Sequence, residues 1–364
     1  MESMPSNPDA ATSLGEVLAR VGVERPAAAP GDTFLTVVMR TQGRRLPCLA
    51  EALEALATQT DQDFEVVLVR HRIEAAMVAG VDATVAAQDV ALREKVRVLD
   101  LDTGARGAPL NLGFREARGS YVVILDDDDL VLPDWVATFR ELHDAHPGRA
   151  LRAAALRQDV DAVVEDGQAR AVPAGEPYEF WPKPFHLLDH LLMNGTPPMT
   201  IAFPRTVFHD LGEHFDEELD TTEDWDFLLR AVTLVGVANT DRPTALYRWW
   251  RAGQSSHHVH DDAHWAANHA LVQRRLDDRV LLMPHGTVQR LQELVELPRV
   301  EHAEVLAERD RLSAENAALA EQVADLKERL ARKRRQVRQL ERQYERQGEP
   351  EEQPRPRRFG RRRD

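Results

Sequence analysis

An α/β fold around a parallel sheet is predicted by three observations. Short apolar runs rich in β-branched residues recur between Phe34 and Leu125. Helical stretches of crossover length separate them, which is the signature of βαβ units. The run Tyr121-Val122-Val123-Ile124-Leu125 then feeds directly into Asp126-Asp127-Asp128-Asp129, placing charge at a strand's carboxyl end, where α/β proteins bind ligands.

Each element follows from its own pattern. Phe34–Met39 is strand-like, and Leu46–Thr58 is helical with Pro47 suited to the first turn. Phe64–Val69 and Val96–Leu99 are strands, with a helix over Ala83–Arg93 between them. Pro109–Arg118 reads as a helix ended by Gly119, before the Tyr121 strand and a helix over Pro133–His143. After Pro147 the pattern loosens into short strand candidates (Leu151–Leu156, Ala162–Val164) among acidic, turn-rich segments. Helical patterning returns at Pro204–Leu211 and Glu223–Val235, Thr244–Trp250 is a late strand, and residues 255–290 are mostly helical.

Beyond residue 298 the period changes. Asn316, Val323, Leu330, Val337 and Tyr344 fall seven apart, as do Val305, Leu312, Leu319, Leu326, Lys333 and Leu340 three residues behind them. These are a and d positions of a coiled coil, which predicts a homodimer through this segment; Asn316 at an a position suits a parallel pair. Four regions are therefore expected: a disordered leader (1–31), an α/β domain (32–295), a coiled coil (298–346) and a basic, proline-interrupted tail (347–364).

Charge and composition exclude several classes. The net charge of −15 divides into +8 over residues 327–364 and −23 over the rest, so the body is not built for nucleic acid. The Arg-rich end suits weak contact with an anionic membrane surface or simple solubility. No apolar run approaches the ~20 residues that span a bilayer. Cys48 is the only cysteine, so no internal disulfide can form and the cytoplasm is the expected compartment.

Two acidic groups carry chemistry. If strand geometry continued past Leu125, Asp126 and Asp128 would face one side and Asp127 the other, giving an Asp-x-Asp pair for Mg²⁺ or Mn²⁺. A solvated acidic turn before the Pro133 helix is the plainer account, and suits Asp129. In Asp220-Thr221-Thr222-Glu223-Asp224-Trp225-Asp226, Trp225, Leu228, Leu229 and Val232 form one apolar helix face. Asp220 with Glu223, or Thr221 with Asp224, would form a capping box. Asp224 falls in the first turn, where the helix dipole favours the ionised form needed to accept a proton.

With Asn111-Leu112-Gly113 and Ala117-Arg118-Gly119-Ser120-Tyr121 leading into Asp126-Asp127-Asp128, and Glu223-Asp224-Trp225-Asp226 about a hundred residues later, the chain resembles the inverting family-2 glycosyltransferases of the GT-A fold over roughly residues 33–250. That resemblance implies a Rossmann-like mixed sheet flanked by helices. It also implies a sugar moved from a nucleotide-sugar donor to a hydroxyl acceptor, on a glycan, a lipid-linked molecule or a small molecule, as in cell-surface glycan or glycoconjugate synthesis. Asp126 would contact the donor ribose and help bind Mg²⁺ or Mn²⁺, and Asp128 would bind the metal at the diphosphate. Thr41, Asn111 and Asp127 would line the donor, and Asp224 would be the general base.

The chain departs from the family pattern in three places. Arg70 stands where an acid usually reads the base, Arg40 replaces a proline before Thr41, and Leu110 rather than an arginine precedes Asn111, leaving Arg106 to supply that charge. Weaker candidates are Gly195–Thr200 near an acceptor cleft, Tyr247-Arg248-Trp249-Trp250 for sugar or phosphate contacts, and His257, His258 and His260 as ligands. Competing readings are a nucleotidyltransferase, disfavoured by the single glycine of Thr41-Gln42-Gly43-Arg44-Arg45, and a non-catalytic scaffold carried by the coiled coil.

Overall fold

The computed structural model describes residues 33–252, 261–284 and 286–347. The chain divides into two units, residues 1–291 and 292–364.

The first unit holds a mixed sheet in the order β3-β2-β1-β4-β9-β6-β10-β5. Its parallel half is the one the βαβ pattern predicts: β1 (Thr33–Thr41), β2 (Phe64–His71), β3 (Val96–Leu101) and β4 (Gly119–Ile124). β9 (Ile201–Pro204) joins β4 antiparallel and turns the sheet into its second half. There β6 (Ala150–Glu165) pairs antiparallel with β9 and parallel with β10 (Val237–Trp250), whose other neighbour is the short β5 (Leu130–Val131). The separate strand candidates after Pro147 are one 16-residue strand. Its acidic outer end is paired with β7 (Gln168–Pro173), and β8 (Tyr178–Glu179) adds to its middle. Pairing across strands overrides the polar composition that suggested turns.

Period-2 alternation divides the strands between two cores. Leu35, Val37, Met39, Tyr121 and Val123 face α1 (Leu46–Ala57) and the helix Trp135–Ala145, through Leu49, Leu53, Trp135 and Phe139. Val38, Val122 and Ile124 face the other way, toward Phe114 of the helix Gly107–Glu116 and Trp225, Phe227 and Leu228 of the helix Glu223–Val235. The region between β2 and β3 holds two helices, Ala75–Ala86 and Val90–Arg93, where one was expected. In chain order the helices are therefore α1, α2 (Ala75–Ala86), α3 (Val90–Arg93), α4 (Gly107–Glu116), α5 (Trp135–Ala145), α6 (Leu187–Leu192), α7 (Arg205–His209), α8 (Glu223–Val235) and α9 (Asp262–Asp277).

Two glycines of the motif before the acids are steric requirements. A Cβ on Gly113 would lie 2.3 Å from Val38 Cγ1, and one on Gly119 would lie 2.5 Å from the Thr36 nitrogen. They let α4 and the start of β4 approach β1 closely and so fix where β4 ends.

α10 (Thr287–Gln347) is a continuous helix of 61 residues. Val305, Leu312, Leu319, Val323, Leu326, Leu330, Val337 and Leu340 are all exposed on the single chain, and Arg329–Asp325 and Arg332–Glu328 pair at i,i+4 on its surface. No helix among the described residues is long and apolar enough to cross a membrane. The leader, His257, His258, His260 and the basic tail lie outside the described residues.

Candidate active site

β1 and β4 adjoin where the strand order reverses, so their carboxyl ends open a crevice at the topological switch point. Thr41 ends β1 and β4 stops at Ile124. The acids then enter a turn in which the Asp129 N–H donates to the Asp126 carbonyl at 3.3 Å. Strand alternation therefore does not reach the acids, and Asp126 and Asp128 do not share a partner as expected.

Each carboxylate has a counter-group, and Asp127 and Asp128 share one. Asp126 accepts from Arg40 Nε at 3.0 Å. Asp127 accepts from Thr41 Oγ1 at 2.6 Å and pairs with Arg45 at 2.9 Å. Asp128 pairs with that same Arg45 and accepts from Trp250 Nε1 at 2.6 Å. Asp129 turns inward and accepts from the Arg248 N–H at 2.8 Å, the supporting role expected of it.

Four adjacent carboxylates differ in acidity because these surroundings differ. Burial alone would raise Asp126, but the Arg40 and Arg106 charges outweigh it and hold it below the usual carboxylate range. Burial and then the Asp128 charge lift Asp127 to about 6, against the pull of Arg45. Burial, Asp128 and Asp126 push Asp129 well above the ordinary value.

The second group opens α8. No capping box forms. The N-cap is Thr222, in the left-handed region at φ +65°, and its side chain caps nothing. Such strain in a non-glycine residue costs of order 1 kcal/mol and concentrates at functional sites. Glu223 is buried and takes both Arg40 (2.8 Å) and Arg106 (3.0 Å), whose charges overcome burial and hold it ionised. Asp226 pairs with Arg230, which also pairs with Glu213, tying the helix to the loop before it.

Asp224 is the exception. It is half-buried, its Oδ1 accepts from the Trp225 N–H at 2.7 Å, and it pairs with no cation among the described residues. Burial and then the Glu223 charge raise it to about 6. The first-turn position keeps it ionised at neutral pH, but by a narrower margin than the helix dipole alone implies.

Arg40 joins the two groups, through Asp126 and Glu223, and Tyr247 stands near the end of β10. Burial raises its phenol well above 10, and the charges of Asp129, Asp128, Asp126 and Asp224 add to the rise.

Two expected donor contacts are corrected. Asn111 gives its Nδ2 to the Phe215 carbonyl (2.9 Å) and Glu217 (3.0 Å) and accepts from the Phe215 N–H (2.9 Å), so its amide clamps the 213–218 loop instead of facing the crevice. Thr41 spends its hydroxyl on Asp127 and acts by positioning it. Arg70 does not stand free at the base-reading position, because Asp100 on β3 (2.7 and 2.8 Å) and Asp82 (2.7 Å) neutralise it. The acid missing from β2 is thus one strand away. Gly195 and Thr196 are locked by the buried Arg152, which donates to Thr196 Oγ1 (2.9 Å) and the Gly195 carbonyl (3.2 Å), so this stretch is a structural junction.

Arg40, Arg45 and Trp250 Nε1 were not singled out from the sequence as partners of the acids. The one signal was Arg40 standing in place of a proline.

Among the described residues no three His, Cys, Asp or Glu side chains converge as a metal cluster. Asp128 nevertheless fits a hard cation that keeps most of its shell for water and phosphate. Trp250 orients its Oδ2, and its Oδ1 takes no hydrogen bond from the described residues.

Residues 36–159 match the family model described as "Glycosyl transferase family 2", a span that holds most of β1, the four acids and most of β6. The Bacillus subtilis (strain 168) protein named "Uncharacterized glycosyltransferase YwdF" is 24% identical over 224 residues, 61% of this chain and 76% of that one. A Sinorhizobium fredii protein, y4gI, is 26% identical over 241 residues, but the match spans only 24% of its length. Among solved structures, S. aureus TarS 1-349 in complex with UDP-GlcNAc has a TM-score of 0.46 at 21% identity, over 61% of this chain and 60% of that one. The mannosyltransferase PcManGT from Pyrobaculum calidifontis, in complex with GDP-Man and Mn²⁺, has a TM-score of 0.47 at 16% identity, over 74% and 71%. The family match thus includes the strand-to-acid turn built above, and residues 36–159 form a glycosyl transferase family 2 domain.

Proposed function

We propose that this glycosyltransferase moves a sugar from a nucleotide-sugar donor to a hydroxyl acceptor in one metal-dependent, inverting displacement. One observation carries the reading. Arg40 bridges Asp126 of the acidic turn (3.0 Å) and Glu223 of α8 (2.8 Å), which sets Asp224, paired with no cation among the described residues, beside that turn.

Asp128, with Asp126 beside it, would hold Mg²⁺ or Mn²⁺ at the donor diphosphate. When bound, the ion supplies neutralisation of the charge on the departing nucleoside diphosphate. Asp126, fixed by Arg40, is the carboxylate suited to a ribose hydroxyl. Asp127 and Thr41 support that corner. Asp224 accepts the proton of the acceptor hydroxyl as its oxygen bonds to the anomeric carbon and the bond from that carbon to the diphosphate breaks. No enzyme nucleophile is required, and attack from the face opposite the leaving group inverts the centre.

The acceptor is a hydroxyl of a glycan, lipid-linked molecule or small molecule, in the setting of cell-surface glycan or glycoconjugate synthesis, and the cytoplasm is the compartment we propose. The exposed leucine seam of α10 supports a homodimer.

Calorimetric titration of UDP and GDP with and without Mn²⁺ tests the reading. Binding that requires Mn²⁺ and is lost in Asp128→Ala supports it; no binding of either nucleotide favours the scaffold. A nucleotidyltransferase would instead take up the nucleoside triphosphate and release pyrophosphate.

A further inference from the structure

The position on Asp128 that a divalent cation would take is partly filled by the chain's own cation. The Arg45 guanidinium spans two neighbouring carboxylates, through one nitrogen to Asp127 at 2.9 Å and through the other to Asp128. Trp250 completes the cage: its Nε1 donates to the same Asp128 oxygen, and the guanidinium lies 5.8 Å from its ring centroid. Without Arg45, Asp127 and Asp128 would face each other with no cation between them, an arrangement their mutual repulsion opposes.

The backbone beneath Arg45 is a fixed pivot. Gly43, at φ +71°, makes the turn after Thr41, and a Cβ there would meet Met77 Cβ at 2.9 Å. Gln168 brackets the loop, its Nε2 donating to the Gly43 carbonyl (3.1 Å) and its Oε1 accepting from the Leu46 N–H (2.9 Å). The Arg44 carbonyl accepts from the Ala169 N–H at 3.1 Å. Only the Arg45 side chain is left to move, and at 23% exposed it has a path to solvent.

We propose that Arg45 is a built-in competitor for the metal: its guanidinium holds the Asp127–Asp128 corner together without an ion, and a divalent cation gains Asp128 by displacing it. A displaced guanidinium needs a new anion, and the diphosphate of a donor is the anion that would arrive with the metal. The inference rests on the metal-dependent reading above and adds that metal alone binds weakly by design.

The test reads metal occupancy, with no turnover. Mn²⁺ is titrated into wild type, Arg45→Gln, Arg45→Lys and Asp128→Asn in the absence of nucleotide, with free Mn²⁺ followed by its paramagnetic resonance signal. Removing two charge-assisted contacts should tighten Mn²⁺ binding by about tenfold or more in Arg45→Gln. Arg45→Lys, which keeps the charge but cannot span both acids, should fall between that variant and wild type. Asp128→Asn should bind least. In thermal melts, Arg45→Gln should lose stability in chelator and regain more of it with Mn²⁺ than wild type gains. Equal or weaker Mn²⁺ binding by both Arg45 variants, with wild type binding measurably, overturns this proposal alone. No Mn²⁺ binding by any variant overturns it together with the metal-dependent reading.

Discussion

The two acidic ends of the crevice are built on opposite principles. After β4, every carboxylate is answered: Arg40 for Asp126, Thr41 and Arg45 for Asp127, Arg45 and Trp250 for Asp128, a backbone N–H for Asp129. At the start of α8, Glu223 absorbs both nearby guanidiniums and Asp224, one residue on, pairs with neither. A corner that must exchange one cation for another benefits from carboxylates already oriented. A base benefits from being denied a cation, because pairing would lower its affinity for a proton. Burial raises Asp224 most, and Glu223 adds to it: it takes up Arg40 and Arg106 and contributes its own repulsion.

The contrast breaks most sharply at Asp224. Asp224→Asn should lower the transfer rate by about 10²–10⁴-fold, the contribution usual for a general base. Wild-type transfer should fall as pH drops through about 6, where Asp224 takes up its proton, and the residual activity of the variant should show no such step. Stability should move the other way. A carboxyl raised in the folded chain binds its proton more tightly there than when unfolded, so its contribution declines as pH climbs from the ordinary carboxylate range to about 6. Asparagine carries no charge to bury, and Asp224→Asn should be more stable than wild type at pH 7.5 by on the order of 1–2 kcal/mol in denaturant titrations.

Glu223→Gln probes the same contrast from the structural side. It takes from Arg40 one of its two carboxylates and weakens the contact with the part-exposed Arg106, and should cost about 1–3 kcal/mol of stability. It also removes the repulsion that raises Asp224, so the acid limb of the pH profile should shift below 6 while activity is retained in the surviving folded fraction. A loss of transfer as deep as that of Asp224→Asn would show that the two acids share the proton-accepting role.

The smallest effect belongs to the second unit. Leu319→Lys, at an exposed d position of α10, should convert a dimer to a monomer in light scattering and leave the pH profile unchanged.

What the sequence made legible follows from the range of each interaction. The strands of the parallel half and the apolar face of α8 are local patterns of a few residues and were readable. So was the acidic turn after β4. The partners of those acids were not, because Arg40 and Asp126 are 86 residues apart and Arg45 and Asp128 are 83 apart, distances over which composition carries no pairing signal. β6 was fragmented in the reading because its polar outer half owes its strand conformation to β7. Asn111 was assigned to the donor by the resemblance, yet its amide is saturated by the Phe215 backbone, a partner 104 residues away.

Arg40 binds Asp126 on one side and Glu223, 183 residues later, on the other. A ribosome delivers these in sequence: Arg40, then Asp126, and only much later Glu223. For that interval Arg40 can be satisfied by Asp126 alone, and the site is half-made. The arrival of α8 brings the two acidic groups together, with Arg248 and Trp250 of β10 still to follow, and its docking closes a 183-residue separation at the high entropic cost of non-local contacts. Chains ending before residue 223 would hold the acidic turn without Asp224, the base proposed above, and should show no transfer.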